Sequence, residues 1–548
     1  MRVRSRIAVV LAAASMVLLL PAAAQAQQVT GLEVRQDDGF ATLSWDPVEG
    51  ATDYQVERTP AGAPLGTGVV VGVWRPNRQI NQSSPAFADA GFNPGDGFQW
   101  RVRARFGAEP QPYSEPVSGT TRPEFGAPGT TGESLRTQWE ESNAATFTSD
   151  LNEYAYTAAL DAASRRVRVV EIGRTVLGRP INMFIIGYPE PKPTAPAVSG
   201  NPAALVNCNV HGNEPSSREA CLIMARELAF ADDPRTLDLL RNMTVLIVPT
   251  INGDGRAANT RGNSTGQDLN RDHSLLRQPE TFALAAMVRD YTPEAAFDGH
   301  EFGNSQAGDL PTLMPRHLNV AESIFSESKD MIENWLYVNG SEDGWWYCPY
   351  GCQGGGAVGL SQETILRNTL GLKNVVSLLL EARSAGGTTR PDEVLPMNNR
   401  RRKTYSALYT YHQFLDYYRA QRPQIAQAIE NSVAFQRSNT GRVVFRGSYD
   451  IPAFSAPHPG EAPPPEEPPE GILDPPPCGY LLTDAQYTGP QPDGRPVADR
   501  LGAHGIKVQR RGPSRWFVPM GQALRGLIPL LLDGEAAEPI VASRRVAC

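Results

Sequence analysis

The sequence is poor in cysteine and lacks long runs of like charge, and each shortage excludes a class of protein. Six cysteines in 548 residues are too few for a disulfide scaffold. No long basic run occurs and the formal net charge is -8, so a dedicated nucleic-acid-binding protein is disfavoured. The 50 glycines and 47 prolines follow no collagen period, and 41% hydrophobic residues are typical of folded proteins. We therefore expect several folded domains joined by turn-rich linkers.

The sequence has one long apolar run, and it lies at the amino terminus. Three arginines in the first six residues precede an uncharged apolar stretch over residues 7–20, and Ala24-Gln25-Ala26 offers a small-x-small cleavage site. This pattern is typical of a secretory signal peptide, and the run is short for a bilayer span. Residues 1–26 are therefore predicted to be a signal peptide, with a retained anchor as the alternative. The protein is expected to be secreted or periplasmic, without a stable membrane anchor.

Residues 27–121 are predicted to form a β-sandwich. Apolar Trp100, Val102 and Ala104 alternate with arginines, and a period of two with one polar face is typical of an antiparallel sheet. The segment resembles a fibronectin type III domain, and the residues that carry the resemblance are Trp45, Tyr54, the strand from Trp100 to Ala104 and the closing Tyr113-Ser114-Glu115-Pro116. A wall- or carbohydrate-binding module and a plain spacer are both open as its role, because a fold alone does not give a function.

From about residue 140 the pattern changes to helical stretches that alternate with apolar, strand-like runs. Such alternation predicts an α/β domain with a largely buried sheet. The apolar runs lie at residues 167–171, 181–186, 204–210, 244–249, 295–297 and 375–380. A long helix is predicted to follow them over residues 404–435.

The boundaries of this α/β domain follow changes in composition. Proline and glutamate dominate residues 461–477, which is typical of a semi-rigid linker. The predicted order is a linker at 122–137, the α/β domain at 138–440, a Pro-rich linker at 441–477 and a small C-terminal segment at 478–548.

Three residues of the types that bind metals lie at the ends of predicted strands. The run 204–210 leads into His211-Gly212-Asn213-Glu214, whose imidazole and carboxylate can face one point, and both groups are zinc ligands. Such a pair alone is weak evidence, since an ordinary polar loop also contains it by chance. A catalytic zinc needs a third protein ligand and an open position for water, and His300 at the end of another strand could supply that ligand.

The last apolar run, 375–380, ends in Glu381. A carboxylate that closes a buried strand is costly unless it is paired or functional. Glu381 could act as a general base toward a water molecule whose pKa a metal has lowered. A structural salt bridge to Arg383 is the competing interpretation.

A polar loop between the predicted ligands offers further candidates. Arginine grips a carboxylate through two hydrogen bonds, so Arg271 with the amide of Asn270 could hold a terminal carboxylate. Arg261 could stabilise the oxyanion of a tetrahedral intermediate. The alternative is a solvated polar loop, because Asp, Asn and Ser are common in such loops.

The order of these motifs resembles the zinc carboxypeptidase family of the funnelin type over roughly residues 145–435. The segments that carry the resemblance are Ile172-Gly173-Arg174-Thr175, Leu177-Gly178-Arg179, His211-x-x-Glu214, Asn252-Gly253-Asp254-Gly255, Asp268-Leu269-Asn270-Arg271-Asp272, His300 and Leu380-Glu381-Ala382-Arg383. The resemblance implies an α/β domain around a mixed eight-stranded sheet.

The resemblance also implies a role for each candidate residue. One zinc ion would be bound by His211, Glu214 and His300. Glu381 would be the general base and acid, and Arg261 the electrophile toward the carbonyl and the oxyanion. Asn270 with Arg271 would clamp the C-terminal carboxylate of the substrate.

These roles predict a secreted zinc-dependent carboxypeptidase, a metalloprotease that hydrolyses the C-terminal bond of peptides by zinc-activated water. Its partners would be peptide or protein C-termini, cell-wall peptides among the possibilities, and no nucleic acid. A cell-wall amidase of the γ-D-glutamyl type or a deacylase of the same fold is the alternative. An inactive surface-binding protein is a second alternative.

Two features of the family have no clear counterpart in the sequence. A catalytic tyrosine could be replaced by Tyr347 or Tyr350, or be absent. Arg367, 14 residues before Glu381, would favour acidic C-termini if it lined the specificity pocket, whereas a backbone-bonded Arg367 would have no such effect.

The six cysteines allow several pairings. Cys348 with Cys352 could close a small loop beside the site, and Cys478 with Cys548 could staple the last segment. Cys208 lies on a predicted buried strand and is expected to be only a core residue.

Overall fold

The computed structural model describes nine stretches of the chain, namely residues 27–36, 40–74, 85–92, 95–120, 134–303, 309–349, 361–384, 396–449 and 468–548. The predicted signal peptide lies outside the described residues, as do most of the predicted linker 122–137 and residues 450–467. Among the described residues, no helix combines the length and the apolarity needed to cross a membrane.

The N-terminal unit consists of antiparallel strands, as the alternating pattern predicted. Its strands are β1 (Glu33–Gln36), β2 (Ala41–Ser44), β3 (Asp53–Pro60), β4 (Val69–Trp74), β5 (Ala86–Asp89), β6 (Gly97–Phe106), β7 (Glu109–Pro110) and β8 (Val117–Thr120). One sheet has the order β1-β2-β5, and the other has the order β4-β3-β6-β7 with β8 paired to β6. Trp45, Tyr54 and Trp100 are buried in the core of this unit. The β-rich character is confirmed, while the fibronectin type III fold stays a prediction.

The central α/β domain contains a mixed sheet of eight strands, as the family resemblance implied. The strands are β9 (Val167–Arg174), β10 (Pro180–Ile186), β11 (Ala203–Cys208), β12 (Thr244–Val248), β13 (Ala295–Phe302), β14 (Leu310–Leu313), β15 (Tyr347–Pro349) and β16 (Val376–Arg383). Their spatial order is β15-β14-β16-β13-β11-β12-β10-β9. The four central strands β16, β13, β11 and β12 are parallel.

Helices cover the sheet of the α/β domain. They are α1 (Gln138–Glu141), α2 (Asp150–Ala163), α3 (Ala195–Val198), α4 (Pro215–Phe230), α5 (Pro234–Asn242), α6 (Gly253–Ala258), α7 (Pro279–Tyr291), α8 (Glu322–Asp330), α9 (Tyr337–Glu342), α10 (Leu366–Leu372) and α11 (Pro396–Ser438). A 3-10 turn covers Leu269–Arg271, and a π-helical turn, Met331–Leu336, joins α8 to α9. The predicted long helix is therefore present as α11.

The central strands are mostly apolar because both of their faces are buried, and their polar residues lie mainly toward the carboxyl ends of β13 and β16. Every residue of β11 and β12 is buried. One hydrophobic cluster, which includes Phe297 and Tyr411, lies on one face, and another, which includes Leu205 and Leu246, lies on the other. Parallel strands end at the same edge of a sheet, so the residues that follow them are brought together there.

The C-terminal segment forms a small unit, here called the C-terminal unit and defined as residues 478–548. Its elements are β17 (Gly479–Thr483), α12 (Asp484–Thr488), α13 (Val497–His504), β18 (Gln509–Arg510), β19 (Arg515–Pro519), α14 (Ile528–Leu532) and β20 (Arg544–Val546). The four strands form an antiparallel sheet in the order β18-β19-β17-β20. The predicted disulfide between Cys478 and Cys548 is present.

One sequence prediction differs from the structure. Cys208 is not only a core residue, because it forms a disulfide with Cys221 on α4, thirteen positions away in sequence. Within the predicted linker 441–477, Val443 forms a backbone bridge with Leu473. Cys352, the predicted disulfide partner of Cys348, lies outside the described residues.

Candidate active site

The loop that follows β11 carries two of the predicted ligands and is shaped by its own polar residues. Asn209 has a left-handed backbone with φ of 56°, which asparagine tolerates better than most residues. Its amide nitrogen donates to the carbonyls of His211 and Glu214, at 2.9 and 3.1 Å. Gly212 passes so close to the backbone of Gly255 that a Cβ there would lie 2.0 Å from a carbonyl carbon. Glu214 then occupies the N-cap position of α4, with Pro215 as the first helical residue.

The third predicted ligand comes from the neighbouring strand. His300 lies on β13, which is parallel to β11, and its side chain is 1% exposed. One ligand atom of each of His211, Glu214 and His300 lies within 4.8 Å of the others. Within the described part of the chain, this is the one group of three or more His, Cys, Asp or Glu side chains so arranged.

The geometry of this group fits a metal ion. The Nδ1 atoms of His211 and His300 lie 3.1 Å apart. The two carboxylate oxygens of Glu214 lie 2.8 Å from these two nitrogens, one from each. Nitrogens and carboxylate oxygens that converge on one point form a donor set for zinc, which takes three protein ligands in catalytic sites.

Each histidine is oriented by an aspartate at its outer nitrogen. His211 Nε2 lies 3.0 Å from Asp268 Oδ1, and His300 Nε2 lies 3.1 Å from Asp298 Oδ2. A ring that donates its Nε2 proton to a carboxylate keeps a lone pair on Nδ1 for a metal. Sequence reasoning assigned no role to these aspartates. The sequence could have indicated the role of Asp298, because it lies two residues before His300 and residues two apart on a strand share a face.

Charge around the group shifts the pKa values of its members. Burial alone would raise the pKa of Glu214, but the adjacent imidazoles hold that pKa well below its usual range. Burial alone would lower the pKa of His300, but the carboxylates of Asp298 and Glu214 hold that pKa well above its usual value. The site is therefore built to hold positive charge between carboxylates.

Glu381 lies directly beside the group. It is the register partner of His300 in the parallel pair of β13 and β16. Its side chain is buried, and burial raises the pKa of Glu381 well above its usual value. Among the described residues, Glu381 has no hydrogen-bonded or ion-paired partner, while Arg383 pairs with Asp309 at 3.1 Å. The carboxylate is thus available for chemistry rather than held in the competing salt bridge.

Arg261 reaches the same group from the loop after α6. Its guanidinium lies 3.5 Å from Glu214 Oε1 and 3.0 Å from Asp268 Oδ2. The side chain is half-exposed. The Arg261 guanidinium thus provides a positive charge at the open side of the metal group.

The two residues predicted to bind a carboxylate lie on the 3-10 turn. Asn270 Nδ2 is 3.3 Å from His300 Nε2, and Asn270 Oδ1 accepts a hydrogen bond from the backbone of Leu366 at 2.9 Å. This second bond orients the amide so that its NH2 group points into the site. Arg271 is exposed and donates to the carbonyl of Asn270 at 2.8 Å.

The remaining two candidates are less accessible. Arg367 is buried and donates to the carbonyl of Met314 at 3.3 Å. Tyr347 is also buried, its hydroxyl lies 2.6 Å from Thr410 Oγ1, and burial raises the pKa of the Tyr347 phenol. Tyr350 lies outside the described residues.

Comparison with known families agrees with this geometry. Residues 153–307 match the family model described as zinc carboxypeptidase. This region of the chain therefore belongs to the zinc carboxypeptidase family, and the resemblance stated from the sequence is confirmed. The matched region contains both histidines of the metal group and Glu214, and the family is zinc-dependent, so the prediction of zinc as the cofactor is confirmed as well.

Three curated relatives show how far the similarity extends. Carboxypeptidase 2 of Trichophyton tonsurans is 29% identical over 194 residues, which are 32% of this chain and 36% of that protein. Carboxypeptidase SOL1 of Arabidopsis thaliana is 31% identical over 167 residues, 28% of this chain and 33% of that protein. Carboxypeptidase D of Rattus norvegicus is 30% identical over 224 residues, 33% of this chain and 16% of that protein. The chain spans about a third or less of the length of these relatives.

Solved structures give weaker likenesses. A metallo-carboxypeptidase from Burkholderia cenocepacia has 17% identity and a TM-score of 0.38, over 70% of this chain and 93% of that chain. A metallo-carboxypeptidase from Pseudomonas aeruginosa has 14% identity and a TM-score of 0.39, over 74% of this chain and 96% of that chain. These values are too low to add to the assignment, which rests on the sequence matches.

Proposed function

We propose that the protein is a secreted zinc-dependent carboxypeptidase that hydrolyses the C-terminal peptide bond of peptides or proteins. The observation that carries the proposal is the position of Glu381 beside the group formed by His211, Glu214 and His300. Secretion is supported by the signal-peptide pattern in residues 1–26.

Each residue of the site has a distinct task in this reaction. Zinc held by the two histidines and Glu214 would supply Lewis acidity and lower the pKa of a water molecule. Glu381 takes a proton on its carboxylate from the attacking water and returns it to the leaving nitrogen. Its burial keeps bulk water from competing for that proton, and its register beside His300 places it next to the metal group.

The exposed side of the site would bind the substrate. Arg261 faces the position where the scissile carbonyl develops negative charge. Arg271 and the NH2 group of Asn270 lie on one turn and would hold the terminal carboxylate. This arrangement favours removal of a single C-terminal residue over cleavage within a chain.

The amidase, deacylase and non-catalytic alternatives gain no support from the relatives, which are named carboxypeptidases. A cell-wall peptide also carries a free carboxylate, so peptide and muropeptide substrates belong in the same assay.

The proposal is tested with paired peptides that differ only in a free or an amidated C-terminus. Mass spectrometry should show release of the last residue from the free acid, loss of that activity with a chelator, and little cleavage of the amide. Equal rates on both peptides would reject the carboxylate clamp, and cleavage of muropeptides alone would indicate the amidase.

The variant Glu381→Gln tests the chemical step in the same assay. An amide cannot accept the proton, so kcat should fall by about 10²–10⁴-fold while zinc content is retained. Glu342→Gln, at an exposed position at the end of α9, is the matched control and should leave kcat unchanged. Near-normal turnover in Glu381→Gln would mean that the base lies elsewhere.

A further inference from the structure

The C-terminal unit contacts the loop that carries the proposed carboxylate clamp. We define the clamp loop as residues 268–276, which begin at Asp268 and include Asn270 and Arg271. Helix α13 of the C-terminal unit lies against the far end of this loop and against α7, which follows it. The contact joins positions more than 200 residues apart in sequence.

Two buried side chains of α13 bind backbone carbonyls of the clamp loop. Arg500 Nη1 donates to the carbonyl of Leu275 at 2.8 Å. His504 Nε2 lies 2.8 Å from the carbonyl of Ser274, so this nitrogen carries the donated proton. Both side chains are at most 3% exposed, and the buried hydrogen bond from the charged Arg500 guanidinium is stronger than an exposed one.

The end of the clamp loop has a strained backbone that this contact helps to hold. Leu276 has φ of 54°, in the left-handed region that bulky L residues rarely adopt. Its side chain is fully buried and packs with Ala285 of α7 and Ala503 of α13. Such a conformation persists only where the surroundings determine it, and Ala503 supplies part of those surroundings.

The start of the clamp loop is fixed from the opposite side. Asp268 bonds to His211 and Arg261, and Asn270 accepts from the backbone of Leu366. The two clamp residues thus lie between an anchor at the metal group and an anchor at α13. Movement at either anchor would shift the donors of Asn270 and Arg271 relative to the scissile bond.

We propose that Arg500, supported by Ala503 and His504, is a positioning residue that holds the clamp loop in the geometry for binding a C-terminal carboxylate. The C-terminal unit then takes part in substrate recognition through the clamp loop. This inference rests on the proposed carboxypeptidase function. A unit that only stabilises the fold would affect all substrates and both kinetic constants alike.

The test uses the full-length protein with Arg500→Leu, which removes the donor to Leu275. KM for a free-acid peptide should rise roughly three- to tenfold, with kcat within about twofold and one zinc per chain retained. The preference for the free acid over the amidated peptide should fall by the same factor. Arg544→Leu, at an exposed position of the same unit, should change none of these values.

The outcomes separate this inference from the proposed function. If the unaltered protein does not distinguish free from amidated peptides, the carboxypeptidase function fails regardless of any variant. If the unaltered protein does distinguish them and Arg500→Leu has the same KM, the inference alone is overturned. A fall in kcat or zinc content without a rise in KM also overturns it. Should Arg500→Leu not fold, Arg500→Lys, which keeps the charge beside Asp493 but shortens the reach to Leu275, gives the deciding KM.

Discussion

The two histidines of the metal group are held by different parts of the molecule. His300 lies on β13 in the middle of the sheet, and its partner Asp298 is completely buried on the same strand. His211 lies on a loop, and its partner Asp268 is 27% exposed and shared with Arg261 on the substrate side. The distances from histidine to aspartate are nearly equal, at 3.1 and 3.0 Å.

Equal distances in unequal surroundings imply unequal energies. A charge interaction is stronger where water is excluded, so Asp298 should hold its histidine more firmly than Asp268 does. We therefore expect the sheet side of the site to be the fixed support of the proposed zinc, and the loop side to be the part that responds to substrate. Four sets of variants test this difference, from the largest expected effect to the smallest.

The largest difference is expected when each histidine is replaced by alanine. Both His300→Ala and His211→Ala should lose most of the zinc, because a catalytic site has only three protein ligands. In the metal-free state His300→Ala should lower the free energy of unfolding by about 3–5 kcal/mol, since it removes the imidazole partner of the buried Asp298 carboxylate. His211→Ala leaves Asp268 solvated and paired with Arg261, so its cost should be only about 1–2 kcal/mol. Urea unfolding with a chelator present measures both, and equal losses would contradict the difference.

The disulfide between Cys208 and Cys221 supports the loop side. It joins the end of β11 to α4 and encloses both His211 and Glu214 in the closed loop. Replacing both cysteines with alanine should lower the free energy of unfolding by about 3 kcal/mol and weaken zinc binding. Removing the pair Cys478 and Cys548 is the matched control, because it should loosen the C-terminal unit and leave zinc affinity unchanged. Unchanged zinc affinity in the first variant would show that the loop is held without its disulfide.

The orienting aspartates give a smaller effect. Asp298→Asn and Asp268→Asn each keep a hydrogen-bonding oxygen but lose the charge, and loss of such a partner costs about 10–100-fold in metal affinity. Asp298→Asn should lie near the upper figure and Asp268→Asn near the lower one. Zinc competition titrations measure the ratio, with Asp290→Asn, at an exposed position paired with Arg289, as the control. A larger loss in Asp268→Asn would reverse the assignment of the fixed side.

The sheet side is also the part that the sequence predicted best. Runs of apolar residues at 204–210, 244–249 and 375–380 marked β11, β12 and β16, because strands buried on both faces have no polar alternation. The candidate ligands His211 and His300 and the proposed base Glu381 stand at or near the ends of apolar runs, and the structure brings them together because parallel strands end at one edge of a sheet. The helix predicted at 404–435 lies within α11. It was found by a different signal, an apolar stripe with helical spacing.

Contacts between distant segments were beyond sequence reasoning. The pairing of Cys208 with Cys221 was missed because six cysteines allow many connectivities and burial alone explained Cys208. The short strands β14 and β15, at one end of the sheet, carry too few residues for a periodic signal. No local pattern indicates that His504 meets Ser274, because the bond joins segments 230 residues apart in sequence.

The smallest effect on catalysis is expected from Arg367, which lies on the sheet side on α10. Its side chain is 2% exposed and donates to the carbonyl of Met314, so it is committed to the fold rather than to a substrate. We therefore expect Arg367→Leu to lower the free energy of unfolding by about 1–3 kcal/mol, the cost of a buried carbonyl left without its donor. The ratio of kcat/KM for acidic over apolar C-termini should stay within about twofold, because the loss of Arg367 would affect the turnover of both substrate classes equally. A selective fall for acidic C-termini, by about tenfold or more, would instead place Arg367 in the specificity pocket and extend substrate recognition from the loop side to the sheet side.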